Sequence, residues 1–212
     1  MARLAIAILL LLPQPEVQDQ APASGKAIEA GSGVLLGEVT PELKSLKKND
    51  LTLEFWIRPD PATVARQRAL LWLFSNQRGS DVAGIGMSLA AGQLQANVLG
   101  TKLSAPGLLA ADKWTHACLT IQARTLNKVA TLWVNGRRVD RGLVPYRWPA
   151  GFFYTRLMTD PWSQGRFFSG QAGPIRISSE VLYQQKFAPG SDWKAVENTL
   201  LLLQPGQIQP KR

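Results

Sequence analysis

His116 and Cys118 are residues whose types could do covalent chemistry, because an imidazole beside a thiol can produce a thiolate nucleophile. They stand two positions apart in the strand-like segment Trp114–Gln122, so both side chains would point to the same side of that strand. A strand residue of a folded domain usually belongs to a core, and spacing alone supplies no catalytic geometry. We therefore interpret both as core residues. With one His and one Cys in the chain, an internal disulfide and a Cys/His zinc site are excluded.

Three side chains with oxygen ligands lie in predicted loops and could converge at one end of the domain: Asn76, Asp81 and Asp160. Calcium takes several oxygen ligands at about 2.3–2.6 Å, normally including acidic or Asn side chains from loops. These residues are the candidate metal ligands, and calcium is the one cofactor that the sequence leaves open.

The segment from Tyr146 to Phe168 combines aromatic rings with arginines. Aromatic rings stack on the apolar faces of sugars, and a guanidinium group reaches hydroxyl, carboxylate or sulfate oxygens in a planar, bidentate way. The segment therefore predicts a glycan site with the candidate residues Tyr146, Arg147, Trp148, Arg156, Trp162 and Arg166. Trp148 and Trp162 are the better exposed candidates, because each has a proline beside it in a turn.

Packing is the alternative for this segment, because residues 152–158 alternate as a strand does and several aromatic rings would then face a core. Single-stranded nucleic acid is also bound by basic residues interleaved with aromatic rings. The chain has no recognised nucleic-acid module, however, and its start predicts export. No specific nucleic-acid partner is expected.

The elements that must position these residues are short β-strands. In Leu51–Ile57, four apolar residues alternate with Thr52, Glu54 and Trp56, which predicts a strand with one face on a core. Similar runs occur at 69–74, 85–89, 94–99, 114–122, 129–134, 152–158 and 174–177, separated by turn formers. Short strands at this spacing predict an all-β sandwich or barrel.

Two kinds of local signal refine this prediction. Asn135-Gly136 stands between two extended runs and predicts a β-hairpin with a type I′ turn, in which both central residues need positive φ. Short helical turns are predicted at 60–68, where Pro61 follows Asp60, and at 179–185. Neither is long enough to organise a domain.

Composition and charge bound the function. The chain has 212 residues, of which 45% are hydrophobic and 18% charged, so it predicts one globular domain. The formal net charge of +9 favours anionic partners such as acidic polysaccharides. The basic residues are nevertheless dispersed, which more often serves solubility, and their densest cluster is Arg137, Arg138 and Arg141.

The first 23 residues predict a secretory signal peptide. A short basic start precedes an unbroken apolar run from Leu4 to Leu12, and Ala21-Pro22-Ala23 gives a small-x-small cleavage pattern before Ser24. A nine-residue helix rises only about 14 Å, too short for a membrane span. We expect a secreted or periplasmic protein with no transmembrane anchor, a domain over 24–203 and a flexible tail over 204–212.

Four motifs in order resemble the laminin-G-like, concanavalin A-like lectin family of jelly rolls. They are Leu51–Pro59, Trp114-Thr115-His116, the hairpin segment Ala130–Gly136, and Gly173–Ser178. The resemblance covers roughly residues 24–203 and implies a two-sheet antiparallel jelly-roll sandwich. It also implies that ligands bind on a rim loop or a sheet face, in some members through calcium.

Members of this family that hydrolyse glycans carry closely spaced acids on one strand, because one carboxyl acts as nucleophile and the other as general acid. Glu54, Asp112, Asp140 and Glu180 each stand alone in the sequence. We therefore predict an exported, non-catalytic module that binds a glycan, preferably an anionic one, or a surface protein. A structural envelope or matrix protein that packs against a partner chain is the first alternative, and a polysaccharide-active enzyme is the second.

Overall fold

The chain forms two antiparallel β-sheets packed face to face, as the sequence predicts. The computed structural model describes residues 22, 26–28, 34–38, 50–65, 70–75, 85–107, 109–124, 126–144, 154–157 and 168–205. Its strands are β1 (Lys26–Ile28), β2 (Val34–Glu38), β3 (Leu51–Pro59), β4 (Leu70–Ser75), β5 (Ile85–Ala90), β6 (Gln93–Val98), β7 (Thr101–Ser104), β8 (Thr115–Ala123), β9 (Lys128–Val134), β10 (Arg137–Val144), β11 (Tyr154–Leu157), β12 (Gly170–Ser178) and β13 (Thr199–Leu203).

The large sheet has the order β1-β12-β3-β8-β9-β10, and β13 also pairs with β12. The small sheet has the order β2-β11-β4-β5-β6-β7. Every strand pair is antiparallel. This arrangement confirms the predicted jelly-roll sandwich.

The core between the sheets comes from the apolar half of each alternating strand. Leu53, Phe55 and Ile57 of β3 are fully buried against residues of the small sheet such as Met87 and Leu89. Because side chains of a strand point alternately to opposite faces, these residues leave Thr52, Glu54 and Trp56 on the other face of β3. That face is buried as well, with exposures of 1%, 0% and 2% for the three residues. The predicted strand with one face on a core is observed, and the burial of its polar face was not predicted.

The predicted hairpin is confirmed at Asn135-Gly136, whose φ angles of 48° and 70° fit a turn in which both central residues have positive φ. It joins β9 to β10, and a register shift follows between Arg138 and Asp140. Such a shift marks an extra residue in one strand and increases the local twist.

One predicted helix is observed and the other is not. A short helix spans Pro61–Ala65, and Oδ1 of Asp60 caps it by accepting the N–H of Thr63 at 2.6 Å. The predicted helix over 179–185 is wrong, because those residues form an irregular segment. The Thr52 hydroxyl donates to the carbonyl of Glu180 and accepts the N–H of Leu182, so a strand side chain replaces the hydrogen bonds of a helix.

The predicted signal peptide lies outside the described residues except for Pro22, which is buried beside Gly173. Of the predicted tail, only Gln204 and Pro205 are described. None of the helices in the described ranges is long and apolar enough to cross a membrane.

Candidate functional site

Most of the predicted site residues lie outside the described residues. This holds for Tyr146, Arg147, Trp148, Trp162 and Arg166 of the glycan prediction and for Asn76, Asp81 and Asp160 of the calcium prediction. Arg156 lies on β11, where it pairs with Leu35 of β2 and Ser75 of β4. The roles of these residues remain predictions. The described parts of the chain contain no group of three or more His, Cys, Asp or Glu residues that could hold a metal ion.

The outer face of the large sheet, which points away from the small sheet, carries a buried polar cluster. We call it the outer cluster, and it consists of Glu54, His116, Cys118 and Arg176. Strand register builds it: Arg176 of β12 and Cys118 of β8 stand directly on either side of Glu54 of β3. His116 lies one step further along β8, opposite Trp56. All of these residues are at most 7% exposed.

Glu54 is the centre of this outer cluster. Its carboxylate accepts hydrogen bonds from Nε of Arg176 at 2.7 Å, from the Tyr183 hydroxyl at 3.0 Å and from Nε2 of His116 at 3.0 Å. The Nη2 atom of Arg176 lies 2.5 Å from the same carboxylate. These donors replace the hydrogen bonds that water would make to the carboxylate oxygens.

His116 is enclosed by aromatic rings. The rings of Trp56, Phe187 and Trp193 meet it edge to face at centroid distances of 5.3, 5.7 and 5.6 Å. Burial lowers the pKa of His116, and the hydrogen bond that it donates to Glu54 opposes this only in part. A neutral imidazole that donates through Nε2 leaves Nδ1 without a proton, and Nδ1 has no hydrogen-bond partner among the described residues.

His116 and Cys118 do not form a nucleophile pair in the outer cluster. Burial raises the pKa of the Cys118 thiol well above its usual range, so the sulfur is protonated, and His116 bonds to Glu54 instead. Both residues are buried, as interpreted from the sequence, but they lie on the outer face and not between the sheets.

Residues 179–193, which we call the cover segment, lie over the outer cluster. Tyr183 stacks on Phe187 with a centroid distance of 3.6 Å, and the indole N–H of Trp56 donates to the carbonyl of Gly190 at 3.0 Å. The guanidinium carbon of Arg176 lies 5.1 Å from the ring centroid of Trp193, a cation–π distance. The cover segment thus shields the polar residues of the sheet from solvent.

The cover segment also contacts the β9–β10 hairpin. The N–H of Phe187 donates to the carbonyl of Gly136 at 3.1 Å. A Cβ atom at Gly136 would collide with the carbonyl of Phe187, so this turn needs glycine for both its positive φ and its close approach.

A surface groove of about 320 Å³ opens where the cover segment meets the hairpin. Its residues are Trp133, Arg137 and Arg138 from β9 and β10, with Gln184, Gln185 and Lys186 from the cover segment. We call it the basic groove, because three of its six residues are cationic and none is acidic.

A second cavity of about 280 Å³, the end pocket, opens at one end of the sandwich. It lies between the β7–β8 connection, which contributes Lys113 and Trp114, and the hairpin residues Val134, Asn135 and Val139. Oδ1 of Asn135 is already used, because it accepts the N–H of His116 at 2.8 Å. The pocket therefore offers one cation and an indole to a ligand.

The outer cluster and both cavities were not found from the sequence. Arg137-Arg138 was visible as the densest basic cluster, and its place beside Trp133 follows from the hairpin register. Nothing in the sequence indicated that residues 184–186 line the basic groove, because this depends on a contact between distant segments.

The family model of the concanavalin A-like lectin/glucanases superfamily, of laminin G type, matches residues 33–187. This is more than half of the chain, and the protein belongs to this superfamily. The predicted resemblance is thereby confirmed. Among curated proteins, none matches the chain.

Solved structures share the fold at low sequence identity. The CBM40 domain of the Ruminococcus gnavus IT-sialidase, bound to α2,3-sialyllactose, aligns with a TM-score of 0.55 and 15% identity over 77% of this chain and 94% of that one. Domain 4 of an extracellular arabinanase from Geobacillus stearothermophilus, in complex with arabinotriose, aligns with a TM-score of 0.51 and 14% identity over 86% of this chain and 73% of that one.

A candidate carbohydrate-binding protein from Bacteroides ovatus aligns with a TM-score of 0.54 and 15% identity over 84% of this chain. The alignment covers 52% of that protein, so this chain spans about half its length. At such identities the likeness concerns the fold.

Proposed function

We propose that the protein is an exported, non-catalytic module that binds glycans and prefers acidic ones. The observation that carries this proposal is a lectin-superfamily sandwich whose described surface has cationic side chains in two concave places, the basic groove and the end pocket, with the indole of Trp114 also lining the end pocket. The fold relatives in complex with sialyllactose and arabinotriose support a glycan as the ligand.

A preference for acidic glycans is supported by charge. The net charge of +9 attracts anions over a distance of about one Debye length, about 8–10 Å at ordinary salt. A non-catalytic role is supported by Glu54, whose carboxylate is held by three donors under the cover segment and not offered to a substrate.

A glycan array with acidic and neutral oligosaccharides tests the proposal. We expect binding to acidic glycans that weakens as sodium chloride rises to about 0.2 M, and no release of reducing ends from any bound polysaccharide. Absence of binding to every glycan would contradict the glycan-binding role, and turnover would contradict the non-catalytic one.

The segment from Tyr146 to Phe168 is proposed as a glycan contact, and Trp148→Ala with Trp162→Ala tests it. A lectin role predicts lost glycan binding at unchanged melting temperature. The matched control is Leu126→Ala, which also removes a large apolar side chain, one that is 86% exposed. Lost stability with intact glycan binding would favour the alternative in which these residues pack in the domain or against a partner chain.

Export is tested on protein recovered from the medium or the periplasm of an expressing cell. We expect intact mass and N-terminal sequencing to give Ser24 as the first residue. Recovery of Met1 on a protein retained in the cytosol would contradict export.

A further inference from the structure

The basic groove concentrates positive charge in one concave place. Arg137, Arg138 and Lys186 line it together with two side-chain amides, and all five of these residues are exposed. Neither guanidinium forms an ion pair with a carboxylate of the described residues. The basic residues are dispersed along the sequence, and only the fold brings Lys186 close to Arg137 and Arg138.

The groove is held in a fixed shape by buried contacts on both of its sides. On the cover segment, Tyr183 and Phe187 stack on each other and point toward the outer cluster, so the three residues between them are turned outward. On the hairpin, Arg138 stands directly opposite Trp133 in the strand register. Charged side chains on a rigid frame bind an anion without first ordering the backbone.

Trp133 forms the floor of the groove and leaves little aromatic surface for stacking. Its side chain is buried, at 3% exposure, and its indole N–H donates to the Thr120 hydroxyl at 3.0 Å. Binding here must therefore be ionic, with hydrogen bonds from the guanidinium groups and the amides. This disfavours single-stranded nucleic acid, whose bases are held by stacking on exposed aromatic rings.

We infer that the basic groove binds the sulfate or carboxylate group of an acidic saccharide. Arg137 and Arg138 bind the anionic oxygens, since a guanidinium pairs with an oxyanion through two parallel N–H groups. Gln184 and Gln185 are placed to bond neighbouring sugar hydroxyls, which accept and donate as a side-chain amide does. The volume of about 320 Å³ is at the lower end of ligand sites and suits one charged sugar unit.

This inference rests on the proposed function, because it locates the acidic preference at a site other than the segment Tyr146–Phe168. The experiment measures affinity for a heparin hexasaccharide, a hexagalacturonate and the neutral maltohexaose by calorimetry. The first two ligands distinguish sulfate from carboxylate recognition. A single-stranded oligonucleotide with the same charge as the heparin fragment tests whether any polyanion suffices.

The variant Arg137→Gln/Arg138→Gln is compared with Arg124→Gln/Arg141→Gln, which removes the same charge from two other exposed arginines. All four side chains are on the surface, so both variants are expected to fold, which the melting temperature verifies. We expect the groove variant to lose about tenfold or more in affinity for at least one acidic hexasaccharide, and the control to lose at most about threefold. Lys186→Gln should weaken binding in the same direction.

Five results would overturn the inference. Equal losses in both double variants would mean that binding follows total charge and not this groove. Unchanged affinity in the groove variant would place the acidic site elsewhere, with the proposed function intact. Equal binding of the oligonucleotide, lost in the same variant, would replace the saccharide by a general polyanion. If the wild-type protein binds neutral glycans but no acidic hexasaccharide, the groove inference fails while the glycan-binding role survives. Binding to no glycan at all would overturn both.

Discussion

The two faces of the large sheet are buried by different means. The inner face is apolar, with residues such as Leu53 and Phe55 packed against the small sheet. The outer face is polar and aromatic: Arg176 and His116 donate to Glu54 within the sheet, and the cover segment adds the Tyr183 hydroxyl, which bonds to both Glu54 and Arg176. Apolar contacts are not directional and need no specific partner atom, whereas a buried charge depends on each of its hydrogen bonds. We therefore expect the outer face to be the more fragile one.

The largest expected effect is that of Glu54→Ala. This change leaves the buried guanidinium of Arg176 without its carboxylate, and removing one member of a buried ion pair costs about 3–5 kcal/mol. Urea denaturation should show a loss of this size in the free energy of unfolding. The control Glu197→Ala, at an exposed position of the chain, should change it by less than about 0.5 kcal/mol.

A double variant separates charge from packing. Glu54→Leu/Arg176→Met removes both charges, so it should be less destabilising than Glu54→Leu alone. Equal destabilisation by the single and double variants would contradict the pairing as the reason for the loss.

The adjacent residue on the other face gives the second largest effect. Leu53→Ala should cost about 3 kcal/mol through lost burial and the cavity left behind. Because Leu53 and Glu54 are neighbours on β3, the two unfolding measurements compare the faces directly. A larger loss in the free energy of unfolding for Leu53→Ala than for Glu54→Ala would mean that the inner face, and not the outer one, is the more fragile.

The third prediction concerns pH. Burial lowers the pKa of His116 below its usual value near 6.5, so the unfolded chain takes up a proton at higher pH than the folded one. The free energy of unfolding should therefore fall as the pH drops below about 6.5, by at most about 1.4 kcal/mol per pH unit, and level off below the folded pKa.

His116→Gln tests this pH dependence, because glutamine can still donate to Glu54 and does not titrate. Its stability should be lower at neutral pH but flatter between about pH 7.5 and 5 than that of the wild type. The same slope in both proteins would assign the pH dependence to other groups.

The smallest expected effect is that of Thr52→Val. Valine keeps the shape of threonine but loses the two hydrogen bonds to the backbone of Glu180 and Leu182, which should cost about 1–2 kcal/mol. Amide hydrogen exchange should show faster exchange at Leu182. Thr101→Val, which removes an exposed hydroxyl bonded to the carbonyl of Leu143, should cost less. An equal loss of stability in Thr52→Val and Thr101→Val would mean that the hydrogen bonds of Thr52 to the cover segment contribute no more than the exposed hydrogen bond of Thr101.

Much of the fold could be predicted because its signals are local. The alternation in Leu51–Ile57 places the right residues between the sheets, and Asn135-Gly136 fixes a hairpin by its own conformational preference. The predicted helix over 179–185 was wrong because distant partners decide that segment: Thr52 is 128 residues from Glu180.

The site was less accessible to prediction for the same reason. Glu54 stood out only as an isolated acid, since nothing near it in sequence reveals Arg176, which is 122 residues away. The basic groove joins a hairpin to the cover segment, so its composition appears only after folding. The predicted glycan residues from Tyr146 to Arg166 rest on composition and remain to be tested by the tryptophan variants.

The cover segment couples the burial of the outer face to the existence of the groove. The same stretch of chain gives Tyr183, Phe187 and Trp193 to the surroundings of the outer cluster and residues 184–186 to the basic groove. Detaching it would therefore hydrate Glu54 and His116 and dismantle the recognition surface in one event.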